Sequence, residues 1–156
     1  MKALKNNDLY SEIRNVLINS RNETYRAVNT TIIRCYHEIG RIIVEKEQNG
    51  NLYAEYGKGV LKELAIKLTE EFGSGFDRSN LSNMRKFYLL YPNFDAVRQN
   101  LTWTHYRTVL KIEDKAERDW YLEEASKEGW SSRQLSRQIS LLKPEISPAF
   151  EMTVLD

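Results

Sequence analysis

Two histidines, one cysteine and a set of carboxylates are the side chains of this 156-residue chain that could hold a metal or drive a nucleophile. A zinc-binding helix needs two histidines four residues apart, and His37-Glu38 has no second histidine at that spacing. No pair of His or Cys stands at ligand spacing, so no metal site is expected. Serines and acids lie near His105, but no strand–turn–helix elbow presents a nucleophile, so no Ser-His-Asp catalysis is expected. Gly57 and Gly59 form a G-x-G without the third glycine or the preceding strand of a phosphate cradle, so no nucleotide cofactor is expected. Glu113-Asp114-Lys115 matches the E-x-K half of a metal-dependent nuclease motif, yet it falls at a helix start, where Asp114 serves as a cap. The expected inventory is no catalytic residue, no cofactor and no metal.

The chemistry left standing is recognition of a polyanion. Val60–Glu71, the turn "FGSGF" and Arg78–Tyr91 have the order of a helix-turn-helix. The second helix opens with Arg78, Ser79 and Asn80 and continues through Asn83, Arg85 and Lys86. Amides and guanidinium groups near the start of such a helix read base edges or hold phosphates. Arg133, Gln134 and Arg137 add a second set on the last helix. Net charge is only +1, from 23 basic and 22 acidic side chains, so a DNA site must come from local patterning. Residues 74–143 carry twelve basic and nine acidic side chains, while 144–156 carry acids alone. The competing reading is a solvated face of an ordinary helical bundle.

Helical periodicity sets the elements that would position these groups. Leu9, Ile13, Val16, Leu17, Val28, Ile32, Ile39 and Ile43 recur at spacings of three, four and seven, with no proline before Asn49-Gly50. Residues 8–49 are therefore one helix of about 40 residues, or two with a break at Ser20–Thr24. A helix of that length cannot bury its stripe in a small domain, which points to a partner surface, for example on a second copy of the chain. The alternative is a kinked antiparallel pair. Further helices are expected from about Tyr53 or Tyr56 to Phe72, over Arg78–Tyr91, from Thr102 to Lys111, from Asp114 to Gly129, and from Ser131 to about Leu142. Their caps are Asp77 or Ser79, Thr102, the Asp114/Glu117 pair and the Ser131/Gln134 pair. The fold class is all-α: a long N-terminal helix, then a compact bundle with a helix-turn-helix-like unit, one domain over 1–143. Residues 144–156 read as a tail or linker.

A hydrophobic share of 41% and a charged share of 29% suit a soluble globular domain. The apolar runs are far short of the roughly 20 residues that span a bilayer. With no signal-peptide pattern and a single cysteine, a cytoplasmic location and no membrane partner are expected. Cys35, beside Ile32, Ile33 and Tyr36, is expected to be an inert buried thiol.

The ordered blocks "YHEIGR", "YGKGVLKELA", "NLSNMRKFY", "LTWTHYR" and "GWSSRQLSRQI" resemble the N-terminal domain of the bacterial YhcG-type proteins, over about residues 20–143. That domain is one of unknown function. In the family it precedes a PD-(D/E)XK nuclease domain and is taken to be the DNA-binding or targeting part. The resemblance therefore implies a non-catalytic, DNA-targeting role, with a nuclease domain or subunit as partner. After "RQI" this chain departs from the family's continuation, so no nuclease residue is carried over. Trp103, His105 and Tyr106 match one family block and Trp130 another. Aromatics at helical spacing beside Leu101, Val109 and Leu110 are read as core, with His105 tying down a neighbouring helix or touching a phosphate.

Overall fold

The structure is a computed structural model that describes residues 2–50, 59–98 and 100–142. Among the described residues it is all-α, with six helices and no strand. They are α1 (Lys2–Gln48), α2 (Val60–Phe72), α3 (Arg78–Leu90), α4 (Trp103–Val109), α5 (Lys115–Glu128) and α6 (Ser132–Leu142). A 3-10 turn, Phe94–Ala96, follows α3. The expected positions 53–58 of the second helix, and the tail 144–156, lie outside the described residues.

The N-terminal helix is unbroken, without the break at Ser20–Thr24 and without an antiparallel return. Its polar centre does not interrupt it because the hydroxyls turn inward. Thr24 Oγ1 donates to the Ser20 carbonyl and Thr31 Oγ1 to the Ala27 carbonyl, each at 2.9 Å. Those bonds satisfy the side chains within the helix, so they do not compete for its backbone. Only the second half of α1 touches the bundle. Ile33, His37, Gly40 and Val44 face α3, whereas residues 7–28 are exposed on every side.

Gly40 fixes how closely the two helices cross. A Cβ there would lie 2.1 Å from the Met84 carbonyl oxygen. Beyond this contact, Arg85 Nε donates to both carboxylate oxygens of Glu47 at 2.9 and 2.7 Å. At the other end, the buried His37 ring donates from Nε2 to the Tyr91 carbonyl at 2.7 Å, among Phe87, Tyr88 and Phe94. The close approach also corrects the expectation for Cys35. It is exposed, because it falls on the side of α1 away from Ile33 and His37.

The remaining caps follow local chemistry. Asp77 accepts from the Asn80 N–H at 3.0 Å and starts α3. Asp114 accepts from the Glu117 N–H at 2.7 Å and starts α5. Gly129 adopts φ 66 and ψ 35, the left-handed conformation glycine tolerates, and ends α5. Arg118, 3% exposed, joins three elements. Its Nη1 donates to the Ile112 carbonyl at 2.8 Å and its Nε to the Tyr91 hydroxyl at 3.0 Å.

Phe87, Leu101, Tyr106, Val109, Leu110, Tyr121 and Leu135 fill the main core. Burial pushes the Tyr106 phenol up to about 12, against the opposing pull of the Arg98 N–H, which donates to it at 2.6 Å. Burial also raises Tyr36, Tyr91 and Tyr121. A phenol whose folded value lies above its unfolded one stabilises the fold fully below the unfolded value, near 10, and loses that contribution as pH rises through the folded value. Thermal melts are therefore expected to hold steady to about pH 9 and fall steeply above pH 10. Tyr106 alone would account for a loss of about 3 kcal/mol once the pH is past 12. A melting temperature unchanged between pH 9 and pH 11 would contradict this account of the core.

Candidate nucleic-acid interface

The aromatic stretch after α3 faces inward. Tyr106 is 1% exposed, and Phe87 packs 5.2 Å from it and 5.3 Å from Trp103, between ring centroids. The His105 ring is bonded at both nitrogens. Nδ1 accepts from the Thr102 N–H at 3.0 Å, and Nε2 meets the Trp130 carbonyl at 2.7 Å, which requires the proton on Nε2. The ring thereby caps α4 and pins it to the turn between α5 and α6. Neither nitrogen is free to meet a phosphate.

Two residues expected on the DNA surface are committed elsewhere. Asn80 is 6% exposed. Its Oδ1 accepts from the Trp103 indole N–H at 3.0 Å, and its Nδ2 donates to the Gly75 carbonyl. It locks the turn before α3 onto α4 and cannot reach a groove of DNA. Gln134 accepts from the Ser131 N–H at 2.8 Å, while its own N–H donates to Ser131 Oγ at 3.2 Å. That reciprocal pair is a capping box, so the Gln134 carbonyl holds the start of α6. Arg85 is partly available, its guanidinium held by Glu47 across the α1–α3 crossing.

The other residues converge. A groove of about 520 Å³ opens between α3, the C-terminal end of α4 and α6. Ser79 and Asn83 line it from α3, Arg107, Thr108 and Lys111 from α4 and the turn after it, and Ser136 and Ser140 from α6, over Ile112 and Ile139. Helical spacing brings more cations to its rim. Lys86 is three residues beyond Asn83, and Arg133 and Arg137 share the face of Ser136 and Ser140. Lys86, Arg107, Lys111, Arg133 and Arg137 are all exposed, as is Arg78 at the start of α3.

Charge is segregated around this groove. Arg78, Arg85, Lys86, Arg107, Lys111, Arg133 and Arg137 are seven cations on α3, on α4 with the turn to Lys111, and on α6. Those three segments contain no carboxylate. Helix α5 carries Glu117, Asp119, Glu123, Glu124 and Glu128, which is how a chain of net charge +1 gains a basic face. Among the described residues, only Arg85 of the seven stands within ion-pair distance of an acid. Arg107 and Lys111 are the groove residues that reading the chain helix by helix misses. Their signal is the i, i+4 spacing on the polar side of α4.

Among the described residues, no group of three or more His, Cys, Asp or Glu could hold a metal ion. No described helix is long and apolar enough to cross a membrane.

Comparison with known proteins gives two matches. Residues 12–143 match the family described as the DUF1016 N-terminal domain. The chain is 30% identical over 165 aligned residues to the protein named "Putative nuclease YhcG" of Escherichia coli (strain K12). That alignment covers 85% of this chain and 44% of the relative, so the chain spans less than half the length of the curated protein it matches. No solved structure matches the chain.

Proposed function

Because the chain belongs to the DUF1016 N-terminal domain family, we propose that it is a non-catalytic DNA-binding and targeting domain of a nuclease-linked protein. The observation that carries this reading is the groove between α3, α4 and α6, walled by segments with seven cations and no acid. The helix-turn-helix-like unit contributes α3, with Ser79 and Asn83 lining the groove and Lys86 beside them. Arg107, Lys111, Arg133 and Arg137 hold phosphates on either side. Nuclease chemistry belongs to the name of the relative, not to any residue set described here. With magnesium or manganese, the purified chain is expected to leave supercoiled and linear DNA intact. Cleavage that vanished in Glu113→Ala would instead make the E-x-K triplet catalytic.

The test is anisotropy of a labelled 20-base-pair DNA at 50 and 200 mM salt. Each phosphate neutralised releases counterions, so log affinity falls by roughly 0.9 per contact for each unit of log salt. Weak binding that fades steeply between those concentrations supports the reading. No binding of this duplex or of either of its strands at 50 mM would remove it.

A second reading concerns α1 and is compatible with the first. Leu9, Tyr10, Ile13, Val16, Leu17 and Val28 are more than half exposed on the part of α1 that projects beyond the bundle. That part, 22 residues long, would extend for about 33 Å. On a straight helix Tyr10, Ile13, Leu17, Thr24, Val28, Cys35 and Ile42 fall within about 60° of one another, opposite the side that meets α3. This strip is about 48 Å long and about 10 Å wide. Pairing with a second copy would bury roughly 1,000 Å² in total, the size at which specific interfaces begin. Sedimentation is therefore expected to show a dimer forming at micromolar concentrations. Ile13→Asp/Leu17→Asp should leave a monomer with an unchanged melting temperature, since both positions are exposed. A wild-type monomer at every concentration would remove the homodimer.

A further inference from the structure

Resting on the nucleic-acid reading of the groove, we infer that the ligand is double-stranded and is held by its sugar-phosphate backbone, and that single strands are poor ligands. The reason is the kind of side chain the groove offers. Proteins that hold single strands pair a basic channel with exposed aromatic rings on which successive bases stack, each stack worth about 1–3 kcal/mol. Among the described residues, no aromatic side chain lines this groove. The chain is not short of them, since Phe87, Tyr106 and Tyr121 are fully buried, and Trp103 and Tyr91 are packed against the same core. Trp103 even spends its indole N–H on Asn80, inside the turn. These rings serve the core, and the exposed Tyr10, Tyr25 and Phe72 do not line the groove.

What lines the groove instead is suited to phosphate. Ser79, Thr108, Ser136 and Ser140 bring hydroxyls, Asn83 an amide, and Arg107 and Lys111 charge. Such groups fix a duplex by its backbone and carry little sequence information. Ile112 and Ile139 form an apolar floor against which sugars can rest, but they have no π-face for a base. The charged walls are formed by helices whose mutual positions are set by the core, so the phosphate-binding groups are spaced in advance. A duplex presents its phosphates at fixed spacing, whereas a single strand must be ordered to match. The stacking energy that normally offsets that ordering is missing here.

The distinguishing experiment uses the full chain and three probes: a labelled 20-base-pair DNA and each of its two strands alone, all at 50 mM salt. The duplex is expected to bind at least tenfold more tightly than either strand. With five exposed cations at the groove, its affinity should fall with a log–log salt slope of at most about 4.5. Arg107→Ala/Lys111→Ala should weaken the duplex and reduce that slope by about two. Equal or tighter binding of a single strand would overturn the inference while leaving the nucleic-acid reading in place. Failure of all three probes to bind would overturn both.

Discussion

Replacing Gly40 with valine is expected to unfold the α1–α3 junction. The smaller change, Gly40→Ala, should already lower the melting temperature by about 6–12 °C. Two effects oppose each other at this position. Glycine inside a helix is about 1 kcal/mol worse than alanine, so an isolated α1 would gain from the substitution. In the folded chain, however, the new Cβ would stand 2.1 Å from the Met84 carbonyl oxygen, 2.8 Å from its carbon and 3.0 Å from Tyr88 Cβ. The first two of these are backbone atoms, which cannot swing aside. The helices must separate, and overpacking of this kind costs about 1–3 kcal/mol or more. Separation would also stretch the Arg85–Glu47 pair and the His37 bond to the Tyr91 carbonyl. A net loss of about 3 kcal/mol corresponds to that temperature change in a domain of this size. Gly59→Ala is the control. Gly59 has a negative φ and no described residue within 4 Å of a new Cβ, so the melt should barely move. A Gly40→Val protein as stable as wild type would mean that α1 does not cross α3 in this way.

The second large effect is on binding. Arg107→Glu/Lys111→Glu is expected to reduce affinity for duplex DNA by more than a hundredfold at 50 mM salt, with folding retained. Both side chains are exposed and line the groove, and no described carboxylate pairs with either. Each reversal removes a phosphate contact and sets a like charge against the backbone. Together they turn the middle of the basic wall acidic. Arg78→Ala alone should do far less, because Arg78 stands at the start of α3 and does not line the groove. Circular dichroism and thermal melts on the same samples separate loss of binding from loss of fold. An Arg107→Glu/Lys111→Glu protein that is folded and binds as wild type would move the interface away from this groove.

Much of the fold was legible in the sequence because the signals were local. Asp77, Asp114 and Ser131 announce helix starts through bonds spanning three residues, and Gly129 announces a stop through its own backbone. The continuity of α1 was less clear, because whether Ser20–Thr24 breaks the helix depends on where the Thr24 hydroxyl turns. The site was only partly legible, and the reason is tertiary. Asn80 has the chemistry of a base-reading group, but its partner Trp103, 23 residues away, decides its role, whereas the Ser131–Gln134 cap is local and was among the expected caps. Glu47, which holds Arg85, is 38 residues from it. Arg107 belongs to a helix that otherwise reads as core, and only the packing of α4 beside α3 and α6 turns its polar side into a wall of the groove.

The most direct measurement is an amide NMR titration of the isotope-labelled chain with a short DNA duplex, recorded at low salt. Shifts are expected at Ser79, Asn83, Lys86, Arg107, Thr108, Lys111, Ser136 and Ser140, growing together along one binding curve. Residues 117–124 of α5, on the acidic helix, should stay in place. Shifts confined to α1 or α5, or a spectrum unchanged by saturating duplex, would contradict the assignment of DNA binding to the groove between α3, α4 and α6.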